Sequence, residues 1–313
     1  MLDPTFDKTS RVAYPVDTVT IKKLREPIRK KMPRYGSKKL HIDIQGQLWE
    51  NKIKMGRDGF MAFCKDHQLL VPRTKRYFVI TDSNHHYRKS PNFVKTLAVT
   101  HSEQVLVTDI TYNKLEGRHA YLALVTDLYS KKVMGFCLDD NMRVGLVKEA
   151  LGMAVKNRQT THQAIIHHSD RGIQFCCPDY VEFAAKRGMV MSTTEKYDPY
   201  ENALAERINE TLKYEFGLIK TIPDLATANK MLKEAVQIYN GERRHCSLEM
   251  QAPNYAHAKQ EHKYKSYTKK ATVHLNNTFF ITKNGQRISG KDNGSMLVTD
   301  DASNVIWRVS ANK

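Results

Sequence analysis

The sequence has no apolar run near the roughly 18 residues that a membrane-crossing helix requires, which removes transmembrane readings. Its first residues, MLDPTFDKTSRV, hold no basic stretch followed by an apolar one, so no secretory leader is expected. Cysteine is sparse: Cys64, Cys137, Cys176, Cys177 and Cys246 make an odd count with no CxxC pair. Neighbouring Cys176 and Cys177 cannot easily share one disulfide or one ordinary zinc site, so reduced thiols are expected. The histidines do not pair with cysteines at zinc-finger spacing either. Acidic residues are the other shortage, with 33 Asp+Glu against 50 Lys+Arg and a net charge of +17.

That imbalance is unevenly spread. Residues 1–100 hold a basic surplus of 12 and residues 251–313 a surplus of 6, whereas 101–250 are one charge short of neutral. Basic flanks around a near-neutral centre suit a protein that handles a polyanion and keeps its central acids for chemistry. The 313 residues suggest about two domains, and 41% hydrophobic content is ample for a packed core.

Residues 1–35 are polar and basic, and Pro27 and Pro33 predict an arm or short helices there. From Ser37 the spacing of Leu40, Ile44 and Leu48 is helical, and Phe60, Phe63 and Cys64 share one face of a second helix closing at His67. The pair makes a helix-turn-helix-like segment over 36–97, with 72–97 a basic linker. The pattern then changes. Strands are expected at Val105–Tyr112, in HAYLALVTDLYS, in KKVMGFCLDD after a hairpin turn at Ser130–Lys131, in AIIHHSD and in MVMSTTE. Helices are expected in RVGLVKEALGMAVKNR, in PDYVEFAAKRG with Gly188 as its cap, and in NALAERINETLKYEFGLI, preceded by the loop KYDPYEN. The order is that of an α/β core with a mixed sheet over 98–220 and further helical structure over 221–256. NG and DNG turns among short apolar runs (VHL, FFIT, RIS, SMLVT, VIWRV) predict a small β-rich, basic tail over 257–313.

Three carboxylates stand out. Asp109 interrupts the apolar run VLVTDITY, where an acid is costly unless paired or bound to a cation. Asp170 ends a strand at its carboxyl end, where open sheets carry function. Glu206 lies on a helix with Lys213 two turns further along the same face. Convergent acidic oxygens are what hard divalent ions need for phosphoryl chemistry. Asp127, Asp139 and Asp140 read as ordinary turn and strand-end acids.

The segments VTDITY, HSDRGIQF and ENALAERINETLKYEF resemble the DDE transposases and retroviral integrases, more narrowly the second-frame (OrfB-type) products of bacterial insertion sequences. YNGERRHCSLEMQAP is a second match, through Tyr239, Asn240, Arg243, His245, Leu248 and Pro253, and RYGSKKLH with CKDHQLLVPR is similar to the family's helix-turn-helix segment. The likeness spans about residues 34–256. Leu106 departs from it, since the family commonly has Trp there, and the tail has no clear counterpart.

The resemblance implies an RNase-H-like core in which Asp109, Asp170 and Glu206 hold two Mg²⁺ or Mn²⁺ ions for cleavage and strand transfer of DNA ends. It implies a phosphate contact from Lys213 and DNA contacts from the basic stretch that carries Lys38 and Lys39, with transposon ends and target DNA as partners. Arg171 either anchors the strand end or touches DNA, and Arg243 and His245 either buttress the core or meet DNA. A homo-oligomer is expected, as is a recognition protein from an upstream frame, joined by frameshifting, in a bacterial cytoplasm near the nucleoid. Two rivals remain at this level: an RNase-H-type or junction nuclease that cuts without joining, and a silent DNA-binding regulator. A tyrosine recombinase would use Tyr239 with Arg243 and His245, but leaves the acids without a role.

Overall fold

A computed structural model describes residues 15–72, 85–95, 97–160, 165–195 and 202–259, with short strands beyond. The chain divides into two compact units, Met1–Ser266 and Tyr267–Lys313. The first unit is built on a five-stranded sheet of order β3-β2-β1-β4-β5. Its strands are β1 (Val105–Leu115), β2 (Arg118–Asp127), β3 (Val133–Asp139), β4 (Ile165–Ser169) and β5 (Met189–Thr193). Neighbours β1–β2 and β2–β3 are antiparallel hairpins, while β4 and β5 run parallel to β1 after helical crossovers. This is the mixed, RNase-H-like arrangement that the sequence led us to expect.

Period-2 alternation divides the sheet between two helical layers. Ile110, Ala123 and Val125 face α4 (Val144–Lys156), α5 (Ile173–Cys176) and α6 (Pro178–Ala185). Leu115, Leu122 and Leu124 face α7 (Ala203–Glu215) and α8 (Leu225–Gly241). Gly135 in β3 is required by the first of these layers, because a Cβ there would stand 2.1 Å from the carbonyl oxygen of Ala150. Asp224 caps α8, its carboxylate accepting from Thr227 N at 2.8 Å.

The N-terminal helices are α1 (Pro15–Lys31), α2 (Ser37–Glu50) and α3 (Arg57–Asp66). The short helices expected before residue 35 are instead one continuous helix of 17 residues passing through Pro27. A proline inside a helix costs about 3 kcal/mol in a lost hydrogen bond and a steric clash. Here Pro27 sits on the exposed side, while Ile21, Leu24 and Ile28 bury the opposite side and offset that cost. Leu40, Ile44, Leu48 and Phe60 fill the same hydrophobic cluster as Leu212, Leu232 and Tyr239 of α7 and α8. The three helices are therefore continuous with the α7–α8 layer of the first unit.

A buried polar hub ties α9 (Pro253–Lys259) to the root of the sheet. Asp127 accepts from Glu103 N at 2.7 Å and from Ser130 N at 2.8 Å, capping the β2–β3 turn as a structural acid. His257 lies between Ser130 Oγ (2.9 Å) and Glu103 Oε1 (3.2 Å), and Glu103 also accepts from Gln159 N and Thr160 N. All of Glu103, Asp127, Ser130 and His257 are at most 1% exposed. His257→Leu removes the bridging donor and leaves two buried carboxylates facing an apolar side chain. We expect it to destabilise the first unit by about 3 kcal/mol, read as a lower urea midpoint at unchanged slope.

In the second unit, β6 (Phe280–Ile281) pairs with β7 (Arg287–Ile288), and β8 (Ser295–Asp300) with β9 (Val305–Ser310), all antiparallel. The hairpin pattern of FFIT, RIS, SMLVT and VIWRV is thus realised. The VHL run, the first 14 residues, most of the linker over 73–84 and the loop at 196–201 lie outside the described residues.

Candidate active site

Strand register accounts for the meeting of Asp109 and Asp170. β1 and β4 run parallel with Thr108 opposite Ser169, so the next residue on each chain is an aspartate. Asp170 lies just past the end of β4, and its Oδ1 accepts from Gly172 N at 2.9 Å. A Cβ on Gly172 would press to 3.0 Å from that oxygen, which favours glycine in the tight turn.

α7 lies along β1 and is fastened to it by side chains spaced two turns and then one turn apart. Asn202 Nδ2 donates to Thr108 O (3.3 Å), Asn209 Nδ2 to Asp109 Oδ2 (2.7 Å) and Lys213 Nζ to Thr111 Oγ1 (2.6 Å). Positions 202, 206, 209 and 213 share one helical face, so Glu206 is presented between the two asparagines. Asn209 is a site residue that the sequence reading passed over. Its signal was available: it is one turn beyond Glu206 on the face that carries Lys213.

The electrostatics join the three acids. Asp109 is pushed up to about 7, first by burial and then by the charge of Asp170, with Glu206 adding and Asn209 opposing. Glu206 is raised by burial, by Glu210 and by Asp170. Lys213 is lowered to about 8 because burial outweighs its attraction to Asp109 and Glu210, and its ammonium lies 4.6 Å from the Tyr112 ring centre. Among the described residues no three His, Cys, Asp or Glu side chains are closed around one point. The donors nevertheless suit a hard dication: they are carboxylate oxygens whose repulsion a bound cation would relieve, beside a buried, unpartnered amide oxygen, Asn209 Oδ1.

The other candidate residues are dispersed. Arg171 is half-buried, its Nε donating to Thr194 O, so it ties β4 to the end of β5. Lys38 is exposed on α2. Lys39 is buried, with Nζ 3.3 Å from Glu215 Oε1. Arg243 Nε and a terminal nitrogen both donate to Glu215 at 2.7 Å, and another terminal nitrogen is 2.8 Å from His245 Nε2. That contact makes His245 Nε2 an acceptor, and burial together with Arg243 holds its imidazole well below the ordinary range. Lys39, Arg243 and His245 are thus engaged inside the protein at the end of α7. Tyr239 is fully buried and donates to Lys131 O at 3.0 Å, so it is unavailable as a recombinase nucleophile.

A mixed sheet with aspartates at two adjacent strands and a glutamate on the helix packed against them is the arrangement of a polynucleotidyl transferase core. Residues 99–199 and 187–253 match two family models, each described as an integrase core domain. The "Insertion element IS600 uncharacterized 31 kDa protein" of Shigella sonnei is 33% identical over 216 residues, which cover 68% of this chain and 78% of that protein. Transposase InsF for insertion sequence IS3A of Escherichia coli K12 is 27% identical over 183 residues, or 58% of this chain and 62% of that protein. The HTLV-2 integrase catalytic core domain aligns with 50% of this chain and 97% of its own length, at 16% identity and a TM-score of 0.41. The chain belongs to the insertion-sequence transposases that carry an integrase core, the DDE polynucleotidyl transferases.

Proposed function

We propose that this chain joins DNA ends by in-line phosphoryl transfer, with Asp109, Asp170 and Glu206 as its catalytic acids. The observation that carries the reading is the placement of Asp109 and Asp170 side by side, on β1 and just past β4, with Glu206 on the helix packed against β1. Burial first and the neighbouring acids next push Asp109 up to about 7 there. Two Mg²⁺ or Mn²⁺ ions held by the three carboxylates would supply activation of water or a 3′-hydroxyl and stabilisation of the leaving 3′-oxygen. The chain's own residues orient and exclude. Asn209 donates to one oxygen of Asp109 and the Ile110 backbone also supports its carboxyl, which fixes the orientation of the acid. Lys213, braced by Thr111 and Tyr112, offers a positive charge to the phosphate beside the scissile bond. No covalent protein–DNA step is needed, so no Ser, Tyr or Cys nucleophile is required.

The partners on this reading are transposon ends and target DNA. Holding two ends together calls for more than one copy of the chain, and end recognition calls for an upstream-frame protein or fusion. The site of action is the bacterial cytoplasm at the nucleoid; among the described residues no helix is long and apolar enough to cross a membrane.

The test is strand joining with pre-cut, labelled DNA ends in Mg²⁺ or Mn²⁺, comparing the parent chain with Asp170→Asn and Glu206→Gln. Joined products that fall by about a thousandfold or more in both variants support the reading. Cleavage without joining would assign a nuclease, and variants as active as the parent would move the site elsewhere.

A further inference from the structure

The outward faces of α1 and α2 and the turn after α2 carry charge that the chain does not balance. Lys22, Lys23, Lys38, Lys52 and Lys54 are exposed, and only Lys38 is near an acid among the described residues, adding to the pull of Arg57 on Asp58. The acids of the same helices are mostly committed. Glu26 pairs with Lys30, Asp43 with Arg244 and Asp58 with Arg57, while Asp66 is also engaged. Glu50 is the one acid left without a partner among described residues 18–72.

Within this basic surface stands Trp49, 73% exposed, more than any other large apolar residue described. The buried stripe of α2 is Leu40, Ile44 and Leu48, so the next residue points about 100° away from the core. Lys52 N donates to Trp49 O at 2.9 Å, closing the turn that also carries Lys54. A solvent-facing indole beside uncompensated ammonium groups matches a partner that has both flat rings and negative charge. In a duplex the faces of the bases are covered by their neighbours, and only an unpaired or terminal base offers one.

We propose that Trp49 is a stacking platform for an unpaired base at a DNA end, with Lys52 and Lys54 receiving the adjoining phosphates and Lys38, at the far end of α2, a phosphate further along the strand. The proposal rests on the transposase reading and adds to it a place where a frayed or processed end is held. The surface is fixed relative to α7, since Lys39 and Arg243 grip Glu215, Asp43 pairs with Arg244 and Lys31 pairs with Glu242. A strand held there keeps a constant offset from Glu206.

The sequence has two tryptophans, so full-length Trp307→Phe leaves Trp49 as the sole indole. Its emission is followed while fluorescein-labelled DNA is added, with anisotropy reporting binding in the same cuvette. DNA with a short single-stranded overhang quenches the emission and a blunt duplex does not. Trp49→Ala weakens binding of the overhang DNA by about tenfold and leaves the blunt duplex unchanged, whereas Trp49→Phe retains most of the affinity. Unchanged emission at saturating anisotropy, or equal quenching by both DNAs, overturns the stacking platform and leaves the transposase reading standing. Anisotropy that rises with neither DNA overturns both.

Discussion

Asp109→Asn is expected to abolish strand joining and at the same time to make the metal-free protein more stable. The folded carboxyl titrates near 7 against 3.8 in a free side chain, so folding opposes its ionisation. Below pH 4 both forms of the protein hold a neutral side chain at 109 and should melt together. As pH rises from 4 to 7 the unfolded parent loses its proton while the folded parent retains it, and the parent's stability falls. Above 7 the difference is constant, on the order of 2–4 kcal/mol in favour of the asparagine variant. Melting temperatures of both proteins across that range, in chelator, decide the matter. Parallel curves would show that Asp109 carries no electrostatic strain. Saturating Mg²⁺ should then narrow the gap by stabilising the parent alone, since a ligand bound only by the folded state adds to its stability.

Arg243→Met is expected to destabilise the fold strongly without touching the three acids. It strips Glu215 of two charge-assisted hydrogen bonds in a nearly closed site, leaving only the longer contact to Lys39. Removing one partner of such a buried pair costs about 3–5 kcal/mol because the remaining charge stays desolvated. Glu215 normally lies below the usual carboxylate range through Arg243 and Lys39, despite burial that acts in the opposite direction. The stability that this depression supplies is present above the ordinary Glu value and lost on acidification, so the variant should show a flatter acid limb as well as a lower urea midpoint. A midpoint within experimental scatter of the parent would mean that the pair is replaceable by packing. Lys39→Met should cost less, as its ammonium is already lowered to about 8 by burial and by Arg243.

The contrast between these two sites shows what the sequence could reveal. Asp109 is visible because an acid in VLVTDITY breaks an apolar strand, and Asp170 because it follows a short apolar run. Both signals are local, and the order of strands and helices that brings them together follows from local periodicity. The Glu215 pairings join positions 28 and 176 residues apart, and the link from His257 to Glu103 spans 154. No pattern within one element announces such partners, so Lys39 reads as part of a basic DNA-tracking stretch and Arg243 stays undecided between the core and DNA until the fold is known. Pro27 misled for a related reason. The cost of a helical proline is local, whereas the burial of Ile21 and Ile28 that outweighs it comes from the tertiary fold.

The hydrophobic cluster shared by the N-terminal helices and α7–α8 also sets a schedule for synthesis. α1, α2 and α3 end by residue 66, yet the apolar side chains that cover them belong to residues 208–239. At a translation rate of roughly 5–20 residues per second, the ribosome takes on the order of ten seconds or more to deliver them. During that interval Leu40, Ile44 and Leu48 are covered only in part, by Ile21, Tyr35 and Phe60 of the same N-terminal segment, a natural point for a chaperone to hold the chain. The same delay separates a chain cut short before α7 from a folded one, so premature termination in the core should yield an aggregation-prone fragment rather than a free N-terminal domain.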